Sequence, residues 1–134
     1  DRFARASFLI DGIPKKADPA YITAVPDQNF AFQAAASVLG VMRSVSVPLG
    51  ITTPGQPNIS STLWRTVADQ RDKIYYFDSA TSPNGFWVPL ADLDLKEGAP
   101  VKKLTVAGGK VYSGNAADKF VATPAFTFLP STGM

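Results

Sequence analysis

The sequence predicts an α+β fold in which an antiparallel sheet is covered on both faces, by helices on one side and a second sheet on the other. Three observations carry that prediction. Helical spacing of apolar residues is confined to the part of the chain before Pro48. Alternating aromatic and β-branched residues follow it. The clearest of these stretches, residues 63–77 (LWRTVADQRDKIYYF), is apolar on both of its faces, whereas a surface hairpin is apolar on one.

Residues 1–10, DRFARASFLI, form the first predicted helix. Phe3, Ala6 and Ile10 fall along one side, Arg2 and Arg5 are displaced from it, and Asp1 stands where a cap accepts bonds from the first free N–H groups. Gly12, Pro14, Pro19 and Pro26 make residues 11–26 a loop. A second helix is expected from Asp27 as its cap, with Phe30, Ala34, Val38, Val41 and Val45 as the buried stripe. The run Ala34-Ala35-Ala36 permits close approach to a sheet. Gly40 costs about 1 kcal/mol of helix propensity, which close packing is expected to offset. Pro48 ends the helix, because the residue before a proline is driven out of the α region.

Residues 49–60 are a Gly/Pro/Thr/Asn loop leading into the hairpin. In the first strand Leu63, Arg65 and Val67 point one way and Trp64, Thr66 and Ala68 the other. Asp69-Gln70-Arg71-Asp72 is the turn, after which Ile74 and Tyr76 alternate with Tyr75 and Phe77. Ser82-Pro83-Asn84-Gly85 is a further turn, and residues 86–89 a short third strand with Pro89 at its end or at an edge. Residues 93–98 read as a helical turn or loop, and residues 101–106 as a fourth strand ending at Gly108-Gly109. The remainder is expected to be irregular and to pack along the outside through Phe120, Phe126 and Phe128.

At 134 residues, with 46% hydrophobic and 18% charged residues, the chain has the make-up of a single globular segment. No apolar run approaches the roughly 20 residues of a membrane helix, so no membrane partner is expected, and the sequence opens directly on DRFARASF rather than on a basic segment followed by an apolar one. A net charge of +2, with basic residues scattered apart from Lys15-Lys16 and Lys102-Lys103, gives no basis for binding nucleic acid. Those two pairs read as solvated loop or strand-edge residues. The chain has neither cysteine nor histidine. Disulfides, thiolate nucleophiles, Cys/His zinc sites and histidine-dependent triads are therefore excluded within it. Composition and spacing do not by themselves assign a function. Two helices followed by a few antiparallel strands leave the sheet short of its second layer, and the expectation is a fragment or one chain of a processed pair.

Three blocks, in order, resemble a known family. Asp1-Arg2-Phe3-Ala4-Arg5-Ala6-Ser7-Phe8 resembles the S-R-F-x-R-A-x-F helix of the choloylglycine hydrolases, also called linear amide C–N hydrolases. Residues 39–50, LGVMRSVSVPLG, are similar to that family's helix end and following loop, with SVSVPxG the most recognisable part. The hairpin matches T-x-(W/Y)-x-(S/T)-V-x-D followed by K-x-Y-Y-F. The blocks extend from the first residue to about Asp78. The last third matches more loosely, although its Phe-Leu-Pro ending is familiar in the Gram-negative branch.

The resemblance implies an αββα sandwich of the N-terminal-nucleophile hydrolase type, to which this chain contributes two helices and an antiparallel portion of sheet. It implies an N-terminal cysteine nucleophile exposed by processing, whose own α-amino group is the base, assisted by an Arg, an Asp and Asn residues. The chain corresponds to the C-terminal third, and of the catalytic group only the Arg of S-R-F maps onto it, at Arg2; the family's preceding Ser is replaced by Asp1. A guanidinium stays protonated at any working pH. Beside a thiol it stabilises the thiolate, and a place in the first helical turn adds the positive end of the helix dipole. The plainer reading of Arg2 is a surface arginine at a helix start.

Other residues attract weaker functional readings. Trp64 and Trp87 either line an acyl pocket or serve as core aromatics, the second being the preferred reading. Asp69 and Asp72 are read as turn residues bonding nearby backbone rather than as a catalytic carboxylate pair. Ser44 and Ser46 beside Arg43 have no base near them in sequence, so no nucleophile is assigned. The expected activity is hydrolysis of a linear non-peptide amide, with conjugated bile salts, penicillin V and N-acyl homoserine lactones as implied substrates. The wording SSTLWRTV and the ending tilt the expectation towards the last two and a periplasmic location. The expected partners are the N-terminal remainder of the same enzyme, which carries the cysteine, a small acyl amide, and further copies in a homo-oligomer. No cofactor is expected, and the chain alone is expected to be inactive. The alternative is a non-catalytic β-rich binding or accessory domain that keeps only the fold.

Overall fold

The computed structural model describes residues 1–51, 54–56 and 61–129. Parts of the expected 49–60 loop, and Pro130 of the Phe-Leu-Pro ending, lie outside the described residues. Two helices lead, α1 (Arg2–Gly12) and α2 (Phe30–Ser44). Six short strands follow: β1 (Trp64–Asp69), β2 (Ile74–Ser79), β3 (Gly85–Pro89), β4 (Lys102–Lys103), β5 (Gly114–Asn115) and β6 (Val121–Ala122). The main sheet has the order β1-β2-β3-β5, antiparallel except for the two-residue β3–β5 pairing. β4 and β6 form a separate antiparallel ribbon. The fourth strand expected over residues 101–106 is thus reduced to two residues, because its only partner among the described residues is the equally short β6.

The hairpin register confirms the two faces read from the sequence. Arg65 pairs with Asp78, Val67 with Tyr76 and Asp69 with Ile74 across β1 and β2, and Tyr76 continues to Trp87 on β3. Side chains at these positions share the face on which α2 lies. The turn occupies residues 70–73, one position later than expected. Asp69 closes β1 and its Oδ1 accepts the N–H groups of Arg71 and Asp72, both at 3.0 Å. Lys73, at φ 55°, takes the left-handed conformation that returns the chain into β2.

α2 rests on β1 and β2 through Ala31, Ala35 and Val41, which are buried, and Phe32 meets Trp87 edge to face at 5.4 Å. The predicted stripe of Phe30, Ala34, Val38, Val41 and Val45 is therefore only its flank: Val41 is buried and the other four are half-buried. The cap is Asn29, not Asp27; its Oδ1 accepts the Ala31 N–H at 2.8 Å. Asp27 instead sits in a short 3-10 turn with φ 54°. On α1, Asp1 holds the cap position without a capping bond and lies 3.7 Å from Arg5. Ala6 and Leu9 are its half-buried residues, whereas Phe3 and Phe8 are exposed.

The opposite face of the sheet is covered at the β3 end. Phe86, Val88 and Ala116 form a cluster there, packed by Phe77, Leu93, Leu104, Tyr112 and Phe120. Phe77 and Phe86 stack at 5.1 Å. At the β1 end the same face is open, with Trp64 58% and Tyr75 43% exposed. Of the three C-terminal phenylalanines expected to pack, only Phe120 does. Phe126 and Phe128 are exposed and meet each other at 4.9 Å. Among the described residues no helix is long and apolar enough to cross a membrane.

Gly40 corrects one energetic expectation. It lies on the exposed side of α2, and a Cβ built there meets nothing within 4 Å, so no close packing offsets its cost. Gly40→Ala is expected to raise stability by about 0.5–1 kcal/mol, measured by urea unfolding; an unchanged or lowered midpoint contradicts this placement.

Candidate functional site

Among the described residues, the one buried carboxylate on the helix-facing side is Asp78, 3% exposed, at the end of β2. Three charged hydrogen bonds hold it. Arg43, in the last turn of α2, donates from Nε at 2.9 Å and from Nη2 at 3.0 Å. Arg65, directly across the hairpin, donates from Nε at 2.7 Å. Arg65 also reaches the Ser46 hydroxyl from Nη1 at 3.4 Å, and Ser46 donates to the Met42 carbonyl. Burial pushes the Asp78 carboxyl up, but the bonds from Arg43 and Arg65 and their charges outweigh it, and the group is held below its ordinary range. Its carboxylate in turn raises the Arg43 guanidinium, against the opposing effect of burial.

Two cavities meet at this network. One, of about 250 Å³, is an apolar groove between α2 and the sheet, walled by Phe32, Leu39, Tyr76 and Trp87 and reaching Arg43 and Asp78. The other, of about 470 Å³, is polar and lies between Arg43, Arg65, Asp78 and the 79–83 loop. The Tyr76 hydroxyl is buried and has no hydrogen-bond partner among the described residues.

Arg2 lies in the first turn of α1, exposed, with no hydrogen bond to a described residue. Its end of the molecule is nevertheless defined. Arg5, one turn further on, donates from Nη1 to the Ser44 carbonyl at 3.2 Å, at the C-terminal end of α2. Ser44 adjoins Arg43, so the start of α1 and the Asp78 network occupy the same end of α2. Of the other residues singled out, Trp87 lines the groove, whereas Trp64 is exposed on the opposite face. Asp69 bonds turn backbone, and Asp72 pairs with exposed Arg71 at 3.3 Å. Ser44 and Ser46 donate to the carbonyls of Val41 and Met42, so among the described residues neither hydroxyl donates to a side-chain base.

Sequence reasoning missed the Asp78 network. Arg65 and Asp78 were recoverable once the hairpin register was set. Arg43 was not, because its pairing crosses from helix to sheet between positions 35 apart in sequence.

The model of the linear amide C–N hydrolases, choloylglycine hydrolase family, matches residues 1–103. The chain belongs to that family. It is 36% identical over 132 residues to a penicillin V acylase of Pectobacterium atrosepticum, covering 96% of this chain and 35% of the relative. It superposes on the structure of a penicillin V acylase from Agrobacterium tumefaciens with a TM-score of 0.77 and 47% identity, over 96% of this chain and 38% of the other. This choloylglycine hydrolase family chain therefore has the N-terminal-nucleophile hydrolase fold, here as two helices and an antiparallel-rich sheet. It spans little more than a third of the length of these relatives.

In the folded family member Asp78 is ionised more readily than in the unfolded chain, so it contributes stability that is present above the ordinary carboxylate pKa near 3.9 and is lost as pH falls through the lower folded value. Asp78→Ala is expected to cost about 3–5 kcal/mol at pH 7, because it leaves Arg65 buried without its partner. Asp78→Asn is expected to flatten the acid limb of stability. Urea unfolding at pH 7 and pH 3 checks both; an unaltered pH dependence in Asp78→Asn contradicts the assignment.

Proposed function

We propose that this chain is the C-terminal part of an amidase that hydrolyses linear, non-peptide C–N bonds, using a cysteine nucleophile supplied by the N-terminal remainder of the same enzyme. The observation that carries this reading is the family match over residues 1–103 of a chain without cysteine, aligned to about a third of each relative. In this reading the cysteine's own α-amino group takes the thiol proton as the sulfur attacks the amide carbon. The acyl group then passes to sulfur, the amine leaves with a proton, and water releases the acid.

Arg2 is the residue of this chain assigned to that chemistry. It is a fixed positive charge that favours the thiolate over the thiol. Its place in the first turn of α1 puts the positive end of the helix dipole on the same side. Its exposure and its freedom from any bond to a described residue leave the guanidinium available to a group outside this chain. Penicillin V is the favoured substrate among the three the family resemblance implies, since both relatives bear that name. A periplasmic location and homo-oligomeric assembly belong to the same proposal.

In the complete enzyme Arg2→Ala is expected to cut kcat/KM by about 10²-fold or more and to move the thiol limb of its pH profile upward, with Arg2→Lys recovering part of both. The 134-residue chain alone is expected to be inert towards penicillin V. Undiminished turnover in Arg2→Ala, or hydrolysis by the purified chain alone, overturns the mechanism; a complete enzyme without an N-terminal cysteine supports the accessory-domain alternative.

A further inference from the structure

We infer that the groove beneath α2 and the arginine-walled cavity beside it form one binding site for a small carboxylic acid carrying a flat apolar body, independent of the cysteine chemistry. The argument begins with charge. Two guanidiniums, Arg43 and Arg65, converge on a single carboxylate, Asp78, and no other charged side chain among the described residues lines the polar cavity. One positive charge is left over. Arg65 is committed, its side chain 14% exposed and its Nε and Nη1 engaged. Arg43 is different: its side chain is 54% exposed, it lines both cavities, and it bonds Asp78 through Nε and Nη2, which leaves its Nη1 donors for a second carboxylate.

The apolar half supplies the selectivity. The groove shares Arg43 and Asp78 with the polar cavity, and its other walls include Phe32, Leu39 and Trp87. Gly85 pairs with Asp78 in the sheet, and Trp87 stands two residues further along β3. At 3.4 Å per strand residue the Trp87 backbone stands roughly 7 Å along β3 from the level of Asp78. Gly85, opposite Asp78, presents no side chain at the arginine end of the groove. A ligand of this class lays its ring against Trp87 and Phe32 and its carboxylate on Arg43.

Trp87 is the built-in reporter. In a Trp64→Phe background it is the chain's only tryptophan, and Trp64 itself lies on the opposite face. Titrating this form with phenylacetate is expected to change Trp87 fluorescence saturably, with 2-phenylethanol and acetate each binding at least tenfold more weakly. Arg43→Gln is expected to raise the phenylacetate Kd at least tenfold, and Arg43→Lys to raise it less. The comparison of the three probes needs no change at Arg43, so it stands even where Arg43→Gln fails to fold. Equal binding of phenylacetate and 2-phenylethanol, equal binding of phenylacetate and acetate, or a linear unsaturable response each overturns the site. None of these readouts involves amide hydrolysis, so the site fails or stands separately from the amidase reading.

Discussion

The clamp on Asp78 is the interaction on which the arrangement depends. A carboxylate buried at the end of β2 is costly unless it is paired and fully bonded. Here the partners come from two different layers, Arg65 from the neighbouring strand and Arg43 from the helix above. The apolar contact between α2 and the sheet is made largely by alanines, Ala31 and Ala35, which let the helix approach closely but offer little shape to fix where it stops. Apolar contact is non-directional, whereas a two-pronged guanidinium bond is specific in both distance and angle. Arg43 therefore sets the position of α2 along the hairpin. Through Ser44 and Arg5 that position is passed to α1, and hence to Arg2.

The exposed surface has a pattern that follows from the family membership. The sheet is closed by α2 on one face and by Leu93, Leu104, Tyr112 and Phe120 over the β3 end of the other. Trp64 and Tyr75 continue that second face uncovered. The chain aligns to little more than a third of its relatives, and the sandwich that the family resemblance implies sets two sheets face to face. The two-faced hairpin is the sequence trace of that demand, since a strand destined for the middle of a sandwich needs apolar residues on alternate positions of both sides.

Much of this was legible in the sequence because it is local. Strand alternation in residues 63–77, the turn chemistry of Asp69 and the stop before Pro48 each depend on residues within a few positions of one another; the strands and turn stand as read within a residue or two, and α2 ends at Ser44, ahead of Pro48. Errors arose where two local solutions competed. Asp27 and Asn29 are both good caps, and the choice fell to Asn29 because the Pro26 turn takes Asp27 into a left-handed conformation. Gly40 was expected to pack closely within the helix, yet α2 is turned so that Ala31 and Ala35 face inward and Gly40 faces out. In the C-terminal part the strands have two residues each and are held by one partner, so no periodicity announces them. The Asp78 clamp is long-range, and spacing rules carry no signal for it. Of the candidate site, Arg2 was legible only through family resemblance, and its position at the end of α2 only through the Arg5 bond.

The most direct test of the clamp is a double-mutant cycle between Arg43→Gln and Asp78→Asn, read as unfolding free energy in urea at neutral pH. If Arg43 and Asp78 together hold α2 on the sheet, the two changes are strongly non-additive, with a coupling of about 1–3 kcal/mol, and α2 amides lose hydrogen-exchange protection in both single variants. Additive effects within about 0.5 kcal/mol, with α2 protection intact, would show that the alanine contact alone seats the helix.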